Sequence, residues 1–359
     1  MVSHNTVPHK NTDNAAIFRK KMLGWYDRHR RVLPWRTLPD EHANSYHVWL
    51  SEIMLQQTTV QAVIPYFLKF TEKWPNIETL ANADNDDVMS NWAGLGYYAR
   101  ARNLHKCAQT IVSEYQGHFP SDERALKALP GIGDYTAAAI RSIVFDKPAT
   151  VVDGNVERIM ARYHAVEEPV PAGKKTLKKH AHFYADNQPE RCSDYAQSLM
   201  DLGATICTPK SPACALCPIN DGCIAYANKA ADLYPKREKK QTKPKRLGYV
   251  YWVTNNKGDV LLHKRPEKGL LGGMYGLPTT PWIETEQEIR HLDIFDEDTL
   301  KKTNHIITHV FTHFHLTLDI YSLSTNLKIE QEEYAWHDLS LDQSPSLPTT
   351  FEKVRKIML

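Results

Sequence analysis

The sequence predicts a multidomain chain, with an all-α N-terminal domain closed by a metal-binding cysteine loop and a C-terminal domain of mixed strands and a helix. Three observations carry this. Helical segments are expected at intervals from Ala15 to Ala204. Four of the six cysteines fall within residues 207–223. After a basic run at 229–246 the pattern changes to short alternating segments. A chain of 359 residues, 42% hydrophobic, can build two cores.

Composition excludes some classes of function. The formal charge is only +2, so any basic surface has to be local. Residues 1–228 hold 25 Lys and Arg against 24 Asp and Glu, and residues 247–359 hold 11 against 16. The run between them holds 8 against 2, with Pro235 and Pro244, and reads as an exposed interdomain linker. No apolar run reaches the roughly 18 residues of a membrane span. The first 14 residues are polar, which argues against a secretory signal. Clustered cysteines in such a chain favour a metal site over a disulfide framework.

Taken in order, Ala15 to His29 reads as an amphipathic helix that ends before Pro34. Tyr46 to Phe70 reads as one helix or two, interrupted near Pro65. Within it Glu52 shares a face with Val48, Trp49, Leu55 and Gln56, so it is a candidate for burial and a raised pKa. Gly94 to Leu104 reads as a glycine turn into an amphipathic helix.

The segment from Ala128 to Arg158 contains two helix beginnings. Leu129-Pro130-Gly131-Ile132-Gly133 closes one short helix, and Asp134 is expected to cap the next, starting at Tyr135. Two glycines at positive φ would let the turn's amides approach a phosphate oxygen. Such a contact reads the DNA backbone rather than its bases. Asp153 opens another helix 18 residues after Tyr135, where the positive helix end favours its ionised form.

Two more helices are expected between Thr176 and Ala204, followed by Cys207, Cys214, Cys217 and Cys223 at C-x6-C-x2-C-x5-C spacing. Four thiolates suit tetrahedral zinc or an iron–sulfur cluster, and ligand count alone favours zinc. Beyond the linker, 249–253 and 260–264 read as strands joined by a turn at 255–258. Glu284 to Leu292 is helix-like, and Ile306 to Leu318 alternates as a strand.

The 128–158 segment resembles the helix-hairpin-helix DNA glycosylases of the endonuclease III superfamily, with the hairpin at about 121–145. Ser51-Glu52-Ile53-Met54-Leu55-Gln56-Gln57-Thr58 and Gly94 to Leu104 narrow the resemblance to its MutY branch, the adenine DNA glycosylases. The cysteine spacing is similar to that family's 4Fe-4S loop, which reverses the preference for zinc. Arg265 to Pro278 resembles the family's C-terminal Nudix-like domain, which implies an α+β fold. The resemblance spans about Phe18 to Leu339 and implies a helical catalytic domain at 1–228, the linker at 229–246 and a lesion-recognition domain at 247–359.

The resemblance also implies residue roles. Glu52 would protonate N7 of an everted adenine, and Asp153 would stabilise the cation-like sugar. Tyr135 and Asn155 would position Asp153 and the sugar. Gln197 would bind the adenine edge, with Arg31, Trp35 and Leu55 completing the pocket. Gln57 and Thr58 would lie near the opposite base, and Leu95 and Tyr97 belong to a segment that wedges an aromatic ring into the duplex. Gly131 and Gly133 would meet phosphate, and Phe311, Thr312 and His313 would read 8-oxoguanine. The four loop cysteines would hold the cluster. Lyase relatives carry a Schiff-base lysine where this chain has Tyr135, which implies a monofunctional enzyme. The acidic magnesium set of a Nudix hydrolase is absent. The expected partner is double-stranded DNA with A:8-oxoguanine or A:G mispairs, bound by a monomer in bacterial cytoplasm.

Overall fold

The computed structural model describes residues 12–37, 41–185, 190–238, 242–266, 269–326, 331–340 and 345–359. Linker residues 239–241 and the first eleven of the polar N-terminal stretch lie outside the described residues. The chain forms two compact units. One comprises Met1–Asn82 with Lys106–Lys239, the other Ala83–His105 with Lys240–Leu359.

The first unit holds α1 (Thr12–His29), α2 (Ser45–Leu55), α3 (Val60–Lys73) and α4 (Ile77–Ala81). After α5 (Asn85–Trp92), which belongs to the second unit, α6 (Ala99–Tyr115) runs across the division. The first unit continues with α7 (Glu123–Ala128), α8 (Asp134–Ile143), α9 (Gly154–Tyr163), α10 (Lys174–Ala185), α11 (Cys192–Thr205) and α12 (Ile224–Ala227).

The predicted break near Pro65 is not there: Pro65 lies inside α3. The chain breaks several residues earlier, where Gln57 takes φ 61° and Thr59 caps α3 by accepting from the Ala62 amide. A left-handed residue followed by an N-cap stops a helix more firmly than a proline near its start.

Apolar clusters on several helices organise the unit. Phe18, Met22 and Trp25 of α1 pack with Val156, Ile159 and Met160 of α9 and with Tyr195, Leu199 and Leu202 of α11. Val48 of α2 packs with Ala138, Ala139 and Ile143 of α8 and with Ala196 and Met200 of α11. Small side chains on α8 let its axis approach its neighbours. Gly203 of α11 does the same against α9: an added Cβ would stand 2.4 Å from the Asn155 Cβ. This brings α11 directly against the first turn of α9.

In the second unit a mixed sheet comprises β1 (Lys245–Thr254), β2 (Val260–Lys264), β3 (Tyr275–Gly276), β4 (Lys301–Val310), β5 (His315–Ser324) and β6 (Tyr334–His337). Its order is β3-β2-β1-β5-β4, with β6 also pairing β2. The β1–β5 pair is parallel and the others antiparallel. Side chains alternate between two buried faces. Val250, Trp252, Leu316, Leu318 and Ile320 face Phe351 and Val354 of α13 (Thr349–Met358), while Tyr251, Val253 and Leu261 pack with Phe295 on the other face. The α+β reading therefore holds, but its helix is α13. The helix expected at 284–292 is only a 3-10 turn at Glu286–Glu288, because three glutamates within five residues have no apolar stripe to bury.

Two further expectations need correction. The run 306–318 is two strands, broken by a hairpin turn in which the Phe311 amide donates to the Phe314 carbonyl at 2.9 Å. The basic run 229–246 is not an exposed connector throughout. Tyr234 is buried in the first unit's core, the Val170 amide donates to the Lys236 carbonyl at 2.9 Å, and Lys245 already begins β1. Burial of one large aromatic ring outweighs the local charge in deciding where the first unit ends.

Candidate active site

Glu52 sits in the last turn of α2, buried at 5% exposure because Val48, Trp49 and Ile53 commit that helix to the core. Burial pushes its carboxyl up to about 7. A hydrogen bond from Tyr135 pulls the other way, the charge of Asp153 adds to the rise, and Arg36 opposes it. The Tyr135 hydroxyl donates to Glu52 Oε2 at 2.8 Å. The Tyr135 hydroxyl thus meets Glu52 directly, and the charge of Asp153 also acts on it. Burial also holds the Tyr135 hydroxyl well above its usual pKa, so it remains a donor.

Asp153 is the N-cap of α9, with extended backbone at φ −99° and ψ −176°. Its Oδ1 accepts from the amides of Asn155 and Val156 at 2.9 and 2.8 Å. Its Oδ2 accepts from Asn155 Nδ2 at 2.7 Å. The helix end does not bring the carboxyl below its ordinary pKa. Burial outweighs the cap hydrogen bonds and raises it.

A cavity of about 620 Å³ opens beside Glu52. Leu55, Trp35, Arg31 and Gln197 line it, so the structure brings together five of the predicted pocket residues. Gln197 Nε2 is turned back to Ser193 Oγ at 3.1 Å. Asp153 is not part of the cavity wall; it and Glu52 are linked through charge, and both raise the pKa of Tyr135, which hydrogen-bonds Glu52.

Sequence reading missed the anchor of this wall. Asp201, fully buried, accepts from Arg31 Nε at 2.6 Å and from Arg36 Nη1 and Nη2 at 2.7 and 2.8 Å. Burial alone would raise its carboxyl, yet the hydrogen bonds and charges of Arg36 and Arg31 win and hold it below the usual carboxylate range. A signal was available, since Asp201 lies four residues after Gln197 on one helical face. Arg158 was also missed. It stands three residues after Asn155, donates to Asn155 Oδ1 at 2.8 Å, and reaches the carbonyls of Gly203 and Cys207 at 2.6 Å each.

The hairpin departs from expectation in two details. Only Gly131 takes positive φ, at 76°; Gly133 is extended and is itself the N-cap of α8, with open space where a Cβ would stand. Asp134 is the first helical residue and not the cap, because its exposed carboxylate pairs with Lys127 at 2.6 Å. No side chain caps the first turn of α8 among the described residues.

Cys207, Cys214, Cys217 and Cys223 form no disulfide and line a single cavity with Ile159, Leu202 and Ile206. The buried Arg162 donates to Cys207 Sγ at 3.3 Å and to the Thr208 carbonyl at 2.7 Å. Four soft donors, an apolar surround and one fixed cation fit an anionic iron–sulfur cluster. Cys107 and Cys192 are buried apart from this set.

The remaining predicted contacts divide. Gln57 is exposed and Thr58 partly so. Leu95 is buried at 7%, so its side chain offers little surface, whereas Tyr97 is 49% exposed at φ 48°. Within the second unit the Tyr97 hydroxyl hydrogen-bonds Thr312 Oγ1 at 3.1 Å. Phe311 is held against Trp282 and Phe314, while Thr312 and His313 stand exposed at the hairpin tip.

Comparison with known proteins agrees with this geometry. Residues 50–183 match the HhH-GPD superfamily of base excision DNA repair proteins, 249–356 a NUDIX domain, and 207–223 the iron–sulfur binding domain of endonuclease III. The adenine DNA glycosylase of Mus musculus is 36% identical over 87% of this chain and 71% of its own length. That of Buchnera aphidicola subsp. Schizaphis graminum is 35% identical over 95% and 98%. A solved thermostable thymine-DNA glycosylase superposes with a TM-score of 0.53, at 29% identity over 60% of this chain and 98% of that one. A helix-capping carboxylate within the field of a buried acid, an iron–sulfur loop and a Nudix domain thus occur together in a chain that belongs to the adenine DNA glycosylase family of base-excision repair enzymes.

Proposed function

We propose that the protein removes adenine mispaired with 8-oxoguanine, and with G, by hydrolysis of the N-glycosidic bond without a lyase step. The observation that carries this is the carboxyl of Glu52, raised to about 7 by burial and so still protonated in a large fraction at neutral pH, beside a cavity and within the field of Asp153. An adenine everted into that cavity receives the Glu52 proton at N7. The glycosidic electron pair leaves with the base, and the sugar becomes an oxocarbenium ion. Asp153, with three donors on its two oxygens, carries the negative charge that stabilises the cation until water adds at C1′. Tyr135 holds Glu52 in place and brings no amine to the sugar.

Cys207, Cys214, Cys217 and Cys223 would hold the 4Fe-4S cluster, which would cross-link residues 207–223, and Arg162 of α9 meets that loop by donating to Cys207 Sγ. In the second unit, a hairpin tip presenting Thr312 and His313 supports a reader of the opposite 8-oxoguanine. The protein is read as a monomer acting on double-stranded DNA in bacterial cytoplasm. Among the described residues no helix is long and apolar enough to cross a membrane.

A single-turnover assay on A:8-oxoguanine, A:G and thymine glycol duplexes tests this reading. Release of adenine from the first two, with little borohydride trapping, is expected. Cleavage of thymine glycol with strong trapping would overturn it in favour of a bifunctional lyase.

A further inference from the structure

Helix α10 carries Lys174, Lys175, Lys178, Lys179 and His182, all exposed, and no acidic residue. Their spacing places them along one side of the helix, opposite the buried Leu177, Ala181 and Tyr184. A solvated basic face is the ordinary meaning of such a stripe, but three contacts tie this one to the site. Lys178 reaches Asp134, at the start of α8, at 3.6 Å, and Asp134 also pairs with Lys127 at 2.6 Å. Lys174 pairs with Glu157, in the first turn of α9, at 2.9 Å. His182 Nδ1 hydrogen-bonds Thr150 Oγ1 at 2.8 Å, three residues before Asp153. The stripe therefore adjoins both the hairpin amides and the helix end that bears the reactive carboxylate. Among the described residues Lys175 and Lys179 form no ion pair.

We propose that the exposed lysine face of α10 is a second phosphate-binding track, which holds the DNA backbone next to the hairpin contact. Lys175 and Lys179 stand four residues apart, about 6 Å along the helix at 1.5 Å per residue, which spans close to two base steps at roughly 3.4 Å along one strand. The track gives the hairpin, which grips the backbone through uncharged amides, a neighbouring cationic hold, so that the duplex is fixed at two points rather than pivoting about one. Only the pairing of two holds rests on reading the hairpin as a backbone contact; the lysine contact is tested by itself.

The test uses the full chain with its cluster and a mispaired duplex. Dissociation constants are measured across a salt series for the native protein, for the double variant Lys175→Gln, Lys179→Gln, and for the rescue variant Lys175→Arg, Lys179→Arg. Each phosphate contact contributes about 0.9 to the slope of log affinity against log salt, so two lost contacts lower it by about 1.8. Between 50 and 200 mM salt the native protein then loses roughly 12-fold more affinity than the glutamine variant. The arginine variant retains the native slope. Methylphosphonates placed in the duplex beside the hairpin contact should weaken native binding and leave the glutamine variant little changed. An unchanged slope in a variant with native circular dichroism overturns the proposal. Gly131→Ala separates the two readings, because it strains a residue at φ 76° in the hairpin alone. If that variant binds normally while the slope still falls, the hairpin reading fails and the track stands.

Discussion

Replacing Tyr135 with Phe keeps the ring and removes one hydroxyl, the one that donates to Glu52 Oε2 at 2.8 Å. That hydrogen bond favours the Glu52 carboxylate, so its loss should raise a carboxyl already at about 7. A hydrogen bond to a charged group is worth about 1.5–3 kcal/mol. At about 1.36 kcal/mol per pH unit, the variant's carboxyl should therefore titrate roughly one to two pH units higher. Because Glu52 acts as a proton donor, base release in the native protein should fall as pH rises through about 7. In Tyr135→Phe that alkaline limb should move upward. The assay is single-turnover adenine release from an A:8-oxoguanine duplex at saturating protein, between pH 5 and 9.5, with duplex affinity measured alongside. A limb that stays in place, or moves to lower pH, would refute the claim that Tyr135 holds the Glu52 carboxylate.

Three more outcomes are expected. Glu52→Gln should abolish adenine release and change the pH dependence of stability. A folded carboxyl at about 7 against an ordinary 4.5 binds the proton more tightly when folded, so native stability falls as pH rises through that window, by up to about 3 kcal/mol. Urea unfolding at pH 5 and pH 9 should show that loss in the native protein and not in the glutamine variant; parallel losses would contradict the burial argument. Asp153→Asn should lower base release by about 100-fold or more with duplex binding nearly intact, since the charge acts on the transition state; normal turnover would point to a different carboxylate. His313→Ala should reduce the preference for 8-oxoguanine over guanine more than it weakens binding to undamaged duplex, and equal losses in competition binding would remove the hairpin tip from lesion reading.

What the sequence made legible was local. Glu52 reads as buried because apolar residues stand at the right spacing on its own helix, and Asp153 reads as a cap because caps are defined within three residues. The cysteine loop is legible for the same reason. Partnerships across long separations were not. Asp201 meets Arg36 across 165 positions, and nothing in either neighbourhood announces the pair. The rise in the Asp153 pKa is hidden likewise: the cap is local, but the burial that outweighs it comes from the surrounding fold. The Tyr135 hydrogen bond to Glu52 was not legible either, because the two residues are 83 positions apart and the direction of one hydroxyl decides it. Residues 83–105 read as part of the helical domain, yet they cluster with the second unit, through contacts such as Lys264 with Asp86 at 3.0 Å.

The contact of Gly203 with Asn155 bears on how this protein tolerates change. Position 203 lies on α11 and touches no base, sugar or phosphate in the scheme above, yet there is room at it for a hydrogen atom and no more. A single methyl there would displace the amide that steadies Asp153, while the Gly203 carbonyl would also shift against Arg158. Gly203→Ala should accordingly behave as an active-site lesion planted in the scaffold: a folded enzyme that still finds its duplex but turns over slowly. Sequence variants at this silent-looking position belong with those of the carboxylate itself.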